Sequence, residues 1–415
     1  MNQVSVEDFD RSQILADKML KTLLETELKL RAAHQTHLGY PYNLSFDPGV
    51  PTGLHQFLIN NLGDPYVGSH YASEVCQLER EAIGWLMHLW GCDDPSEYWG
   101  SIGASGTEGN IWGIYLGREA LPNAVLLHSA DAHYSIPKAA RLQRIEAVEV
   151  GSNPAGEIDL AALAQTLTTL RGRPVILALT CGTTMKGAHD DIAGAIAVLE
   201  AAGLGPDRRY IHLDGALNAM VVPFLAAAPA SIQPMFGLGI DSISTSGHKM
   251  IGTPMPCGAI VCRKPHIDQI ARAISYLKSN DTTLMGSRNG HAVLAIWTRL
   301  FGHGHDGYAK DARHCSQRAQ MLATKLGAAG AQVLCNPHAL TGVFDEPGAE
   351  IVSRYQLACA KGLAHAIVMP NVTDTLLEEF RTDYLAWLKR RPSGTETPSR
   401  PVARISSNFS ALEQF

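Results

Sequence analysis

From Val6 to about Ala33 the chain repeats apolar residues at helical spacing, Ile14, Leu15, Met19, Leu20, Leu23, Leu24 and Leu28, with charged residues between them. That spacing predicts an amphipathic helix with one face to bury. Beyond the loop GYPYNLSFDPGVPTG the rhythm changes to short apolar runs alternating with helical ones. AIGWLMHLW and IAGAIAVLEAAG read as helices, the second stopped by its glycine; AVLLHSA, PVILALT, YIHLD, SISTS and GAIVCRK read as strands. Short apolar strands alternating with helices predict an α/β fold whose mostly parallel sheet is covered on both sides. After about Ile296 come a long helical stretch, the runs AQVLCNP, LTGVFDEP and LAHAIVMP, and a final helix DTLLEEFRTDYLAWLKRR, which predict a smaller α+β domain. The expected organisation is an N-terminal helical and loop segment over 1–60, a large domain over 61–295, a small C-terminal domain over 296–391, and a flexible Ser/Thr/Pro-rich tail over 392–415.

Composition narrows the function classes. At 415 residues the chain exceeds the size at which one core stops growing, which agrees with two units. Hydrophobic residues make up 46% and charged residues 18%, so the bulk of the chain is globular rather than disordered. A net charge of −6 with acids and bases interspersed leaves no basic face for nucleic acid, and a small molecule becomes the expected ligand. Cysteines Cys76, Cys92, Cys181, Cys257, Cys262, Cys315, Cys335 and Cys359 form no CxxC or Cys/His cluster, so no metal site is expected, and free thiols in a reduced compartment are. The start, MNQVSVEDFDRSQ, is unlike a signal peptide and no apolar run approaches about 18 residues, so the expected location is cytoplasmic with no membrane partner.

In a sheet of this kind ligands meet the carboxyl ends of strands, and the polar residues collect there. His133 follows AVLLHSA, Thr183 and Thr184 follow VILALT, Asp214 ends YIHLD, and Ser246, His248 and Lys249 follow SISTS. The stretch GSIGASGTEGN ahead of IWGIYLGREA presents free backbone N–H groups and the positive end of a helix dipole, which suits a phosphate; a tight turn is the alternative. It carries neither the Lys-Ser/Thr of a P-loop nor GxGxxG, which weakens nucleotide readings. Asp214 fits a helix N-cap or a carboxylate that keeps a pyridine nitrogen protonated. His133 fits a core imidazole or one stacked on a planar cofactor, and Thr183 a turn hydroxyl or a contact to a ring oxygen. Lys249, among Ser246, Gly247 and His248 and ahead of MIGTPMP, is poorly placed for a surface lysine. Burial and neighbouring cationic groups lower a lysine's pKa and make its amine competent for a Schiff base. Together these are the requirements of pyridoxal phosphate.

With GYPYNLSFD, FLINNLGDP, GTEGN, DAHYS, GTTMKGAHDD, IHLDGAL, SGHKMIGTPMPCG, MGSRNGH and AHAIVMPNVT, the chain resembles the group II pyridoxal-phosphate-dependent amino-acid decarboxylases from about residue 37 to 385. Within them it is similar to the branch of bacterial histidine decarboxylases and plant serine decarboxylases. The resemblance implies a fold-type I, aspartate aminotransferase-like architecture with a mostly parallel seven-stranded sheet in the large domain. It implies that Lys249 holds pyridoxal 5'-phosphate, Asp214 pairs with the ring nitrogen, His133 stacks on the ring and Ala216 packs against the other face. Ser105, Gly106, Thr107, Ser246 and His248 would hold the phosphate, Thr183 would contact the cofactor, and Tyr42 and Asn43 the substrate. A mobile loop crossing a dimer interface would correspond to ISYLKSNDTTLMGSRNGH, residues 274–291. There Tyr276 is the expected proton donor, although the residue alone fits a half-buried helix position equally well. Gly286 and Ser287 would complete the partner's phosphate site in a homodimer or a dimer of dimers.

The reaction implied is loss of CO2 from an L-amino acid, leaving a primary amine. GYPYNLSFD, INNLGDP, YWG and VMPNVT are more similar to the serine enzymes, and Ala339 in NPHALTGVF stands where the histidine group is expected to carry serine. L-Serine to ethanolamine is therefore the first expectation, L-histidine to histamine the second, and valine or methionine follow. An aminotransferase would offer an arginine for the substrate carboxylate and a cysteine desulfurase a mobile cysteine, and neither stands out. A catalytically dead homologue is disfavoured because each cofactor contact has a suitable residue.

Overall fold

A computed structural model of the chain describes residues 6–45, 52–225 and 228–391, with residues 6–15 and Thr52 described by backbone alone. The expected tail over 392–415, and Phe46 and Asp47 of GYPYNLSFD, lie outside the described residues. The chain opens with α1 (Val6–Gln35), the helix expected from its spacing. After β1 (Asn60–Leu62) and α2 (Cys76–Leu89) come β2 (Tyr98–Gly103), α3 (Gly106–Ala120), β3 (Val125–Ser129), α4 (Ser135–Gln143), β4 (Ala147–Val150) and α5 (Leu160–Thr169). β5 (Val175–Thr180), α6 (Ile192–Ala201), β6 (Arg209–Asp214), β7 (Ser242–Ser246) and β8 (Gly258–Arg263) follow. The remainder is α7 (Lys264–Asp268), β9 (Arg272–Ile274), β10 (Ser279–Asp281), β11 (Ser287–Asn289), α8 (Gly290–Ala328), β12 (Val333–Leu334), β13 (Thr341–Asp345), α9 (Ala349–Tyr355), β14 (Ala358–Ala360), β15 (Leu363–Ile367) and α10 (Asp374–Arg390).

A seven-stranded sheet runs β2-β8-β7-β6-β5-β3-β4. Only β8 is reversed: it pairs antiparallel with β2 and β7, and every other pairing is parallel. Strand side chains alternate between two apolar layers, as the pleat requires. Ile176, Tyr210 and Ile260 pack with Trp112 of α3 and Ile136 of α4 on one face. Leu177, Ile211, Ile243 and Val261 pack with Ile83 of α2, Leu163 of α5, Leu199 of α6 and Ile296 of α8 on the other. Both layers are buried, which is why most of these strands read as continuous apolar runs.

Helix α8 starts before Ile296 and runs past it; its first turns belong to the core beneath the large sheet, and it kinks at Gly304 (φ 68°). Beyond it, β12-β13-β15-β14 form an antiparallel sheet covered by α10, whose Phe380 and Tyr384 pack on Phe344. The segment after α1 joins this sheet: the Leu38 N–H donates to the Tyr355 carbonyl at 3.1 Å, and the Ile367 N–H to the Leu38 carbonyl at 2.7 Å. Residues 16–32 of α1 are exposed, Met19, Leu20, Leu23, Leu24 and Leu28 among them, so the apolar face expected to be buried is open in the single chain.

Candidate active site

The carboxyl ends of β2, β5, β6 and β7 lie along one edge of the sheet. In register, Gly103 faces Gly258 and Gly258 faces Ser246, which sets the first turn of α3 beside the end of β7. A Cβ on Gly258 would lie 2.6 Å from the Ser105 carbonyl carbon, and one on Gly106 would lie 2.5 Å from Ser246 Oγ. Ser105 caps α3, its hydroxyl accepting from the Glu108 N–H at 3.2 Å, and the Glu108 carboxylate accepts from the Ala104 N–H at 2.6 Å. The two bonds satisfy backbone donors on either side of the cap and stiffen the turn, with the carboxylate reaching one residue beyond the N–H that a capping box would use.

Beside this turn lies a cavity of about 830 Å³, counting its open mouth. Gly106, Thr107, His133, Thr183, Asp214, Ala216, Ser246, His248 and Lys249 line it, so most of the residues expected from sequence converge. Ser105 lies at the helix cap just outside that lining. Lys249 sits in a wide turn (Gly247–Ile251) with φ −89° and ψ −121°, outside the helical region. Burial lowers its pKa, and the carboxylate of Asp214 partly offsets this. Burial also depresses His133, with Asp214 opposing and Lys249 adding to the depression, and takes His248 down to about 4. Asp214 accepts from the Ala216 N–H at 3.1 Å and from Asn110 Nδ2 at 2.8 Å.

Asn110 was not singled out from the sequence, although it stands in the quoted GTEGN. It lies one helical turn after Gly106, so the α3 face that carries the first turn also carries Asn110 toward the sheet. Tyr40 and Pro41 were missed as well; they line the cavity where Tyr42 and Asn43 were expected. Tyr42 packs its ring on Tyr40 and His37, and Asn43 is buried, its Nδ2 donating to the Met250 carbonyl at 3.1 Å and its Oδ1 accepting from the Ser45 N–H at 3.1 Å. Thr183 reaches the cavity but its hydroxyl accepts from the Ala188 N–H at 3.0 Å, a turn role. Tyr276 and Ser287 stand apart from the site within the chain. Tyr276 is 70% exposed in the turn between β9 and β10, neither helical nor half-buried. Ser287 opens β11, and its hydroxyl accepts from Asn60 Nδ2 at 3.1 Å.

The residues fit pyridoxal phosphate. Glycine at 106 and 258 lets the amino end of α3 and the end of β7 approach more closely than a side chain would allow, and backbone N–H groups at such a helix start suit a phosphate. An amine and a carboxylate share the adjoining cavity with an imidazole and the small Ala216, as a flat ring between two faces requires. Fold and site together define an enzyme that works through a phosphorylated pyridine aldehyde.

The comparisons agree. The family model described as "Pyridoxal-dependent decarboxylase conserved domain" matches residues 118–344. Serine decarboxylase 1 of Oryza sativa subsp. japonica is 43% identical over 345 residues, covering 83% of this chain and 70% of the relative. A histidine decarboxylase of Solanum lycopersicum is 37% identical over 372 residues, 89% of this chain and 88% of that one. Among solved structures, L-methionine decarboxylase of Streptomyces sp. 590 superposes with a TM-score of 0.78 at 25% identity, over 89% of this chain and 94% of that chain. The chain belongs to the pyridoxal-dependent decarboxylase family. It is a carboxy-lyase that uses pyridoxal 5'-phosphate.

Proposed function

We propose that the chain converts L-serine to ethanolamine and CO2, with Lys249, Asp214 and His133 acting on the cofactor and substrate. When bound, pyridoxal phosphate supplies an electron sink for the bond that loses CO2. Lys249 provides the amine that holds the cofactor, and its lowered pKa leaves that amine neutral at a lower pH than an exposed lysine would be. Asp214 would pair with the ring nitrogen and hold its proton. His133 and Ala216 would pack against the ring, while Ser105, Gly106, Thr107, Ser246 and His248 would hold the phosphate. The observation that carries the reading is the convergence of Lys249, Asp214 and His133 on one cavity beside the α3 turn.

The serine assignment draws on the remaining wall. Thr341, Ala358, His365 and Ile367 line it from the second sheet, and Tyr40 lines it from the segment after α1. Both ring nitrogens of His365 lie against backbone carbonyls, Gly39 at 3.0 Å and Met185 at 3.2 Å. Tyr40 and Thr341 bring hydroxyls to this part of the lining, with Thr180 and Thr184 in the same cavity, and a small hydroxyl-bearing substrate side chain suits such a lining. The serine decarboxylase of rice is also the more similar of the two named relatives. L-Histidine is the second reading, supported by 37% identity to a histidine decarboxylase.

In this reading residues 61–295 carry the cofactor, 296–391 close the cavity, and 1–60 serve a cytoplasmic homodimer, or a dimer of dimers, in which Tyr276 and Ser287 act at the second copy's site. The exposed apolar face of α1 supports the dimer, and the free, mostly buried thiols a reducing compartment. Amine and CO2 release from serine, histidine, valine, methionine and aromatic amino acids tests the substrate: serine should show the highest kcat/KM, and preference for histidine would overturn that choice.

A further inference from the structure

A chain of buried polar groups runs behind the cavity, and its hydrogens can be assigned from one end. As a carboxylate Asp214 only accepts, so the Asn110 group 2.8 Å from its Oδ2 is the amide NH2. The other side of that amide, Oδ1, then accepts from Ser244 Oγ at 2.6 Å and from His212 Nε2 at 3.0 Å. His212 Nδ1 is left to accept from Ser242 Oγ at 2.8 Å, and Ser242 in turn accepts from the Tyr210 hydroxyl at 2.8 Å. Burial holds His212 near a pKa of 4, which agrees with a ring carrying one proton.

The second Asn110 hydrogen goes to Ser135 Oγ at 2.8 Å. Ser135 Oγ lies 2.7 Å from His133 Nδ1, and the Ser135 backbone N–H donates to the same nitrogen at 3.2 Å. A nitrogen facing a fixed N–H cannot carry its own hydrogen, so the serine hydroxyl, already accepting from Asn110, donates to it. Among the described residues no group bonds His133 Nε2, and His133 lines the cavity.

We propose that Asn110 and Ser135 are positioning residues that couple Asp214 to His133, fixing the imidazole as the neutral ring with its hydrogen on Nε2. The group stacked on the cofactor thus offers a donor to the substrate, and the group at the ring nitrogen sets the direction of the bonds behind it. Two donors on Nδ1 also oppose protonation there. The charged groups facing the ring are Asp214, which favours its protonation, and Lys249 and Lys138, which disfavour it. The ring of Tyr134 packs at 4.1 Å between centroids.

The proposal rests on the cofactor roles of His133 and Asp214, and its test reads the imidazole itself. In cofactor-loaded enzyme labelled with 15N-histidine, with the His133 signals assigned by their loss in His133→Gln, the hydrogen should sit on Nε2 across neutral pH. Ser135→Ala should move the His133 titration up by about 0.5–1 in pH, the worth of one lost hydrogen bond, and Ser135→Thr, which keeps the hydroxyl, should restore it. Because the two residues form one relay, Asn110→Ala should shift the titration far less in the Ser135→Ala background than alone. A hydrogen on Nδ1, an unmoved titration in Ser135→Ala, or additive effects of the two substitutions would overturn the relay while leaving the cofactor reading intact. A chain that takes up no pyridoxal phosphate would overturn both.

Discussion

The side-chain amide of Asn43 donates to the backbone carbonyl of Met250 at 3.1 Å, tying the segment after α1 to the turn that carries Lys249. The two pack so closely that a Cβ on Gly252, in the left-handed region at φ +84°, would fall 2.7 Å from Asn43 Nδ2. Asn43→Ala should therefore cost about 1–3 kcal/mol by leaving buried groups unpaired. Urea denaturation checks this, and kinetics on the same variant should show kcat falling more than KM rises, because Asn43 braces the lysine turn from behind the cavity.

Gly106 links the first turn of α3 to the end of β7. Alanine suits the first residue of a helix, but here its methyl group would force Ser246 to move. The new methyl group would fall 2.5 Å from Ser246 Oγ, so that hydroxyl, one of those assigned to the phosphate, must turn away. Gly106→Ala is expected to lower the stability of the cofactor-free protein by about 1–3 kcal/mol and to weaken pyridoxal phosphate binding by about tenfold or more, measured by urea denaturation and fluorescence titration; binding that equals the wild type would contradict the phosphate assignment.

Glu79 and Arg288 form an ion pair whose side chains are at most 1% exposed, and Glu79 also accepts from Asn61 Nδ2 at 2.8 Å and the Ile102 N–H at 2.7 Å. The pair pins β11, and with it Ser287, against α2 and β2. Arg288→Met alone should destabilise by about 3–5 kcal/mol because it strands a buried charge, whereas the double variant Glu79→Gln/Arg288→Met, which removes the charge and keeps an acceptor for the Ile102 N–H, should lose less. Chemical denaturation of the three proteins reads the difference.

Acid should unfold the chain through its buried imidazoles. Burial takes His189 to about 3 and His212 and His248 to about 4, below the ordinary value of about 6.5. The unfolded chain therefore binds more protons between roughly pH 4 and 6.5, and stability rises with pH across that window. Asp190, raised by burial to about 7, acts in the opposite direction, one group against three. The thermal midpoint should fall steadily from pH 7 to pH 5.

Much of this site was legible from local pattern. Asp214 stands where a short apolar run ends and Ser246 and Lys249 where the run SISTS ends, and the carboxyl ends of strands form the ligand-binding edge of such a sheet. The strand Tyr98–Gly103 was not read as one: YWGSIG has two glycines and no alternation, and it becomes a strand by pairing with Gly258–Arg263, far along the chain. Asn110 and Asn43 were passed over, or given another role, for a related reason. Their partners, Asp214 and Met250, lie 104 and 207 positions away, and no local spacing announces such a bond. Tyr276 and Ser287 were legible only through family resemblance, since their proposed work needs a second copy of the chain.

The central claim is that Lys249 holds pyridoxal phosphate in the cavity shared with Asp214 and His133. Borohydride reduction of the loaded enzyme, followed by peptide mass mapping, tests it directly: the visible absorbance band should vanish and the reduced pyridoxyl group should be found on Lys249. A pyridoxyl group on another lysine, or a band that borohydride leaves unchanged, would contradict it.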